Sequence, residues 1–120
     1  MRVALDTSAL MMPVECDVRV FDELDRLLTE YDCITPRPVL RELDKLAEGR
    51  GTEATAAAVG RDLAARCATV ETEATYADDA LVELAERGAC DYVVTNDGPL
   101  RDRLSVGVIG IRGRNKLAIH

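Results

Sequence analysis

Short apolar runs alternate along the chain with longer segments in which apolar residues recur every three or four positions. The short runs predict strands, and they lie at residues 3–5, 33–35, 68–70, 91–95 and 108–111. The longer segments predict amphipathic helices at about 18–31, 38–47, 52–66, 76–87 and 100–104. Because strands alternate with helices, the pattern predicts an α/β fold in three layers, with a parallel sheet between two layers of helices.

Local signals mark several element boundaries. Asp17 is the predicted N-cap of the first helix, and Pro38 favours the start of the second. Gly49, Arg50 and Gly51 predict a turn that ends that second helix. No repeat or linker interrupts the alternation, so residues 1–120 are expected to form one domain.

Two acids directly follow predicted strands. Asp6 comes after the first strand, and Asp97 comes shortly after the fourth. In a parallel sheet both would lie at the carboxyl edge, where ligands bind in this class of fold. Each also has an ordinary interpretation, since Asp6 suits a turn and Asp97, which precedes Gly98 and Pro99, suits a helix N-cap.

Helical periodicity leaves the role of two further pairs of acids open. Glu42 and Asp44 border opposite sides of the apolar stripe of the second helix, so the pattern does not choose between them. In the fourth helix, Thr75 and Asp78 have the spacing of a capping box. That interpretation gives Asp78 a structural role and leaves Asp79 free.

The composition excludes several kinds of chemistry. The single histidine is His120, so neither a Ser-His-Asp triad nor a histidine-rich metal site is expected inside the fold. The four cysteines are widely spaced, and we expect them to be reduced and mostly buried in a cytoplasmic protein. The chain reaches an acid at Asp6 and has no long apolar run, so neither a signal peptide nor a membrane segment is expected.

Acidic residues dominate the charge, with 22 Asp and Glu against 15 Lys and Arg and a formal net charge of −7. Several carboxylates in one crevice repel each other unless a cation neutralises them. Oxygen ligands without His or paired Cys favour a hard cation, Mg²⁺ or Mn²⁺. Such a site can activate water for attack on a phosphodiester, so the sequence predicts metal-dependent phosphodiester hydrolysis.

Four motifs together resemble the PIN-domain nucleases. Asp6-Thr7-Ser8 follows the first strand, and a Glu-Leu motif at Glu42 lies in the second helix. Asp78-Asp79 begins the fourth helix, and Thr95-Asn96-Asp97 follows the fourth strand. The motifs occur in the family's order over nearly the whole chain. The resemblance implies a parallel α/β/α sandwich whose acidic pocket binds Mg²⁺ or Mn²⁺ and cleaves RNA.

The resemblance assigns roles that periodicity leaves open. It implies that the catalytic, metal-binding acids are Asp6, Glu42, Asp79 and Asp97. Thr7 or Ser8 matches the hydroxyl residue beside the first acid, and Asn96 belongs to the last motif. Asp78 is expected to support the site without binding the metal directly. Because an acidic protein needs positive charge to bind RNA, Arg50 and Arg101 are candidate phosphate contacts. We expect hydrolysis to leave a 5′-phosphate and a 3′-hydroxyl.

The motifs most resemble archaeal stand-alone PIN proteins similar to the ribosomal-RNA-processing nucleases of the small-subunit processome. VapC-type toxins of toxin–antitoxin pairs share the same acids and are the nearest alternative. A catalytically inactive PIN-like binding module is a third interpretation. The resemblance also implies RNA as a partner, together with a homodimer and either an antitoxin or a ribosome-assembly protein.

Overall fold

A six-stranded sheet forms the centre of the computed structural model, which describes all 120 residues. The strands are β1 (Arg2–Leu5), β2 (Asp32–Pro36), β3 (Ala68–Val70), β4 (Tyr92–Val94), β5 (Gly107–Ile111) and β6 (Leu117–Ile119). The helices are α1 (Thr7–Glu15), α2 (Val20–Leu27), α3 (Arg37–Ala47), α4 (Gly51–Ala64), α5 (Ala77–Glu86) and α6 (Gly98–Arg103). The predicted α/β fold is confirmed.

The sheet order β3-β2-β1-β4-β5-β6 places β1 at the point where the topology reverses. The chain adds β2 and β3 on one side of β1 and then returns to add β4 and β5 on the other. These five strands are parallel, with Ala4 of β1 aligned to Ile34 of β2 and Val93 of β4. The switch point between the carboxyl ends of β1 and β4 is where open α/β sheets bind ligands.

The core is aliphatic, as the scarcity of aromatic residues requires. Val3, Ala4 and Leu5 of β1 are completely buried, because the central strand is covered on both faces. Helices α1 and α4 pack closely, since a Cβ on Gly60 would lie 2.8 Å from the Leu10 carbonyl oxygen. No helix is long and apolar enough to cross a membrane.

Two elements escape the sequence pattern. Helix α1 buries Ala9, Leu10, Met11 and Met12 and contains Pro13, so it shows little of the alternation between apolar and polar faces that identifies a helix. Strand β6 is short and antiparallel to β5. It is held by α2, where Arg26 donates to the Leu117 carbonyl at 2.7 Å. That long-range contact has no local signature in the sequence.

Two predicted helix caps are wrong. Asp17 adopts a positive φ of 53° in the connection before α2, and Arg19 is the N-cap of that helix. The N-cap of α5 is Tyr76, with no side-chain capping bond, so the capping box predicted for Thr75 and Asp78 does not form. The predicted cysteine burial holds for Cys67 and Cys90, whereas Cys16 and Cys33 are partly exposed, and all four thiols are free.

Candidate functional site

A cavity of about 290 Å³ opens at the switch point of the sheet. Six carboxylates from five elements or their ends line it, together with two hydroxyl side chains. The acids are Asp6, Glu15, Glu42, Glu53, Asp78 and Asp97, and the hydroxyl residues are Thr7 and Ser8. The parallel sheet thus brings distant parts of the sequence to one place, as the strand-end argument predicts.

Asp6 is the most deeply placed of these acids, with only 3% of its surface exposed. It is the N-cap of α1, and its Oδ1 accepts from the Ala9 amide at 2.7 Å. The Ser8 hydroxyl lies 2.8 Å from the same oxygen, and the Thr95 hydroxyl donates to Oδ2 at 2.5 Å. These partners hold the carboxylate in a single orientation at the end of β1.

Burial dominates the titration of Asp6. It raises the pKa of this carboxyl to about 6 from the ordinary value of 3.8, because an ionised group loses water when it is buried. The hydrogen bonds from Thr95, Ala9 and Ser8 oppose that rise, and the negative charge of Asp78 adds to it. The ionised Asp6 carboxylate therefore lacks sufficient compensating positive charge.

Hydroxyl groups also connect the ends of β1 and β4. The backbone amide of Asn96 donates to the Ser8 hydroxyl at 2.9 Å, and the backbone amide of Asp97 donates to Thr95 Oγ1 at 3.0 Å. Asp97 in turn is the N-cap of α6 and accepts from the Leu100 amide at 3.3 Å, which confirms its predicted capping role. The chain that follows β4 is therefore fixed against Asp6.

Helix α3 carries Glu42 and Asp44, and the structure shows which of these two acids lies in the cavity. Glu42 lines the cavity, whereas Asp44 lies outside it and pairs with Arg61 of α4 at 3.1 Å. Glu42 also contributes negative charge at Asp78. Of the two acids that flank the apolar stripe, only Glu42 is therefore placed with the acids that follow the strands.

Helix α5 places Asp78 in the cavity and Asp79 outside it, the reverse of what the family resemblance implies. Asp78 lines the cavity, and burial followed by the charges of Asp97 and Glu42 raises the pKa of its carboxyl. Asp79 lies outside the cavity lining, and its carboxylate pairs with Arg103 of α6 at 2.7 Å. The helix phase explains this difference, because Asp78 is about 90° from the centre of the buried stripe and Asp79 is nearly opposite it.

Two acids of the cavity are absent from the sequence prediction. Glu15 ends α1, and Glu53 lies in the first turn of α4. A signal for Glu15 existed, since Asp6 as an N-cap would begin a helix on which Ser8, Met11 and Glu15 share one face. Glu53 has no comparable signal, because its position depends on how α4 packs against α1.

The chemistry of the donors fits a hard divalent cation. All polar groups that line the cavity are carboxylates or hydroxyls, the ligands that Mg²⁺ and Mn²⁺ prefer. The Thr7 hydroxyl is buried without a hydrogen-bond partner, and the Asp6 carboxyl lacks compensating charge. No three of the chain's Asp, Glu, Cys or His side chains converge closely enough to form a complete cluster of ligands.

The two predicted phosphate contacts are exposed and form no ion pair. Arg50 is the N-cap of α4, three residues before Glu53, and Arg101 lies on α6, which Asp97 caps. Both therefore flank segments that contribute acids to the cavity. A larger open depression of about 870 Å³ mixes acidic, basic and apolar residues but contains none of the predicted site residues.

Comparisons with known proteins agree on the fold. The sequence profile of the family described as PIN like domain matches residues 3–114. A comparison with functionally curated proteins found no significant match.

Among solved structures, the chain is similar to the PIN domain endonuclease Utp24, with 22% identity and a TM-score of 0.79 over 99% of this chain and 90% of that one. It is also similar to VapBC2 from Rickettsia felis, solved bound to a DNA fragment from its promoter, with 12% identity and a TM-score of 0.66 over 92% of this chain and 98% of that one. A domain of a functionally unknown protein from Methanocaldococcus jannaschii has 16% identity and a TM-score of 0.63 over 93% and 91%.

Proposed function

Because the chain belongs to the PIN-like domain family, we propose that it is an endoribonuclease that uses Mg²⁺ or Mn²⁺ to hydrolyse RNA in ribosomal RNA processing. The observation that carries the proposal is the acidic cavity at the switch point between β1 and β4. A buried carboxylate whose pKa is raised to about 6, beside an unpartnered hydroxyl, is costly unless a ligand compensates it.

Four acids are proposed to hold the cation, whose binding would draw them together, since no three of them converge closely in this structure. They are Asp6, Glu42, Asp78 and Asp97, with Asp78 replacing the Asp79 that the family resemblance implies. When bound, Mg²⁺ or Mn²⁺ supplies a Lewis acid that polarises the phosphodiester and acidifies water. Asp79, paired with Arg103, is proposed to position α5 against α6.

The neighbouring side chains orient these acids and the RNA. Thr95 and Ser8 hold the Asp6 carboxylate through their hydroxyls, which fixes the deepest donor before substrate arrives. Thr7 offers a free hydroxyl oxygen in the same cavity. Arg50 and Arg101 are proposed to bind RNA phosphates on either side of the acids, and Asn96 to orient the scissile phosphate.

A cleavage assay tests the proposal. The purified protein is incubated in Mn²⁺ with structured ribosomal RNA and with unrelated RNA, beside an EDTA arm and the Asp6→Asn variant. We expect cleavage that needs Mn²⁺ and Asp6, with preference for ribosomal RNA and products that carry a 5′-phosphate and a 3′-hydroxyl. Cleavage that survives both EDTA and Asp6→Asn contradicts the metal mechanism.

The VapC-like alternative makes a different prediction. A toxin should arrest growth when it is expressed without its antitoxin, and Asp6→Asn should relieve that arrest. A ribosomal RNA nuclease should instead associate with ribosome-assembly proteins and leave growth intact when expressed. A binding module should bind RNA without cleaving it. A homodimer is compatible with each of these functions, and the mass of the protein in solution tests it.

A further inference from the structure

Tyr76 differs from every other aromatic residue of the chain. The protein has one Phe, three Tyr and no Trp. Phe21 belongs to the core, and Tyr31 and Tyr92 pack against it. Tyr76 alone lies in solvent, with 76% of its surface exposed.

The backbone around Tyr76 is fixed although its side chain is free. The carboxylate of Glu83 accepts from the backbone amides of Glu73 and Ala74, at 3.0 Å and 2.9 Å. The Tyr76 carbonyl accepts from the Ala80 amide at 2.9 Å, as the first bond of α5. An aromatic ring held on a rigid backbone loses little conformational freedom when it binds a partner.

The position of Tyr76 relates it to the acidic cavity. It follows β3 and precedes α5, so it lies at the same carboxyl edge of the sheet as Asp6 and Asp97. Asp78, two residues later, lines the cavity. Arg103, which pairs with Asp79 in the first turn of α5, places a cation beside the same helix start.

We infer that Tyr76 is a stacking platform for a base of single-stranded RNA that enters the acidic cavity. The inference rests on the proposed function, since it places the base beside the phosphate that the cavity would cleave. A ring face accepts any base, so the contact favours unpaired nucleotides without selecting their sequence. Arg103 can contact the adjoining phosphate, which supplies a positive charge beside Tyr76.

The test measures binding with a fluorescently labelled single-stranded oligoadenylate in Mg²⁺, with phosphorothioate linkages that slow cleavage. We expect Tyr76→Ala to raise the dissociation constant by about 5- to 150-fold, the range for loss of one stacked base. Tyr76→Phe should retain the wild-type affinity. Tyr76→Trp introduces the only tryptophan of the chain, so its fluorescence should be quenched when the oligonucleotide binds.

Two controls distinguish stacking from a structural effect. An oligonucleotide of abasic sugars keeps the phosphates, so wild type and Tyr76→Ala should bind it equally. Ile119→Ala removes another exposed apolar side chain, on β6, and should leave binding of oligoadenylate unchanged. Equal binding of oligoadenylate by wild type and Tyr76→Ala would overturn the inference. A change in oligomeric state with unchanged RNA affinity would overturn it too, since Tyr76 would then contact protein.

Cleavage measured on the same variants separates this inference from the proposed function. If the wild type cleaves RNA and Tyr76→Ala binds and cleaves as well as it does, the ribonuclease stands and the stacking platform fails. If Tyr76→Ala loses affinity while neither protein cleaves, the platform stands and the ribonuclease fails.

Discussion

Thr95 donates a hydrogen bond of 2.5 Å to the buried carboxylate of Asp6, across 89 positions of the sequence. The bond joins the ends of β1 and β4 at the switch point of the sheet. The same hydroxyl oxygen accepts from the Asp97 amide, so it couples two candidate metal ligands. Local sequence does not show the bond to Asp6, because it depends on the parallel pairing of two strands distant in the chain, whereas the bond from the Asp97 amide spans only two residues.

Thr95→Val should raise the pKa of Asp6 further, because the bond from Thr95 lowers it. The change also removes the acceptor for the Asp97 amide, so we expect the free energy of unfolding at pH 7 to fall by about 1–3 kcal/mol. Urea unfolding over a range of pH measures both effects. Thr95→Ser keeps the hydroxyl and should behave nearly as wild type, and a similar loss in both variants would contradict this role.

Asp6 should make the protein less stable as the pH rises. The pKa of the Asp6 carboxyl in the folded protein is about 6, above the ordinary 3.8. Its contribution to the free energy of unfolding is therefore fully present below pH about 4 and is lost as the pH rises through about 6. That loss is about 3 kcal/mol. When the free energy of unfolding is measured in EDTA, the wild type should therefore become less stable relative to Asp6→Asn as the pH rises.

Added Mn²⁺ should reverse this trend in the wild type, because a bound cation favours the ionised carboxylate. The same titration in Asp6→Asn is the control and should show little stabilisation by Mn²⁺. If the difference in unfolding free energy between wild type and Asp6→Asn in EDTA does not depend on pH, that result would contradict the raised pKa of Asp6.

Asp97 combines a capping role with a proposed catalytic one, and two substitutions separate them. Asp97→Ala should lower the free energy of unfolding by about 1 kcal/mol, because the α6 N-cap is lost. Asp97→Asn keeps a good cap, so its stability should stay near that of the wild type. Both variants should lose RNA cleavage, and an active Asp97→Asn would assign this residue to capping alone.

Asp78 and Asp79 provide a matched pair on one helix. Asp78→Asn should weaken Mn²⁺ binding in calorimetry by about 10-fold or more, since loss even of an outer partner of a metal site costs about that much. Asp79→Asn breaks an exposed ion pair with Arg103 and should cost only about 0.2–1 kcal/mol of stability, with Mn²⁺ affinity preserved. The opposite result would restore the assignment that the family resemblance implies.

The sequence predicts the parallel strands well because each is a short apolar run between segments with helical periodicity. Asp6 and Asp97 could be placed together for the same reason, since strand ends share an edge in a parallel sheet. Asp78 could also have been chosen from periodicity, because it borders the buried stripe of α5. The capping-box spacing with Thr75 suggested another role for it, and in the structure Tyr76 is the N-cap instead.

The remaining parts of the site depend on tertiary packing. Helix α1 is apolar on most of its surface and buried, so its hydrophobic pattern does not identify it as a helix, and only the capping position of Asp6 indicates this helix and Glu15 at its end. Glu53 reaches the cavity through the packing of α4 against α1, which the close approach of Gly60 to Leu10 permits. Such contacts arise between elements and have no signature within any one of them.

The most direct test of a metal-dependent nuclease at this cavity compares Glu42→Gln with Asp44→Asn. Both changes remove one negative charge from α3, but only Glu42 lines the cavity, and Asp44 pairs with Arg61 outside it. The measurement is the rate of RNA cleavage as a function of Mn²⁺ concentration. We expect Asp44→Asn to follow the wild-type curve and Glu42→Gln to lose cleavage or to need much more Mn²⁺. Equal curves for the two variants would contradict this expectation.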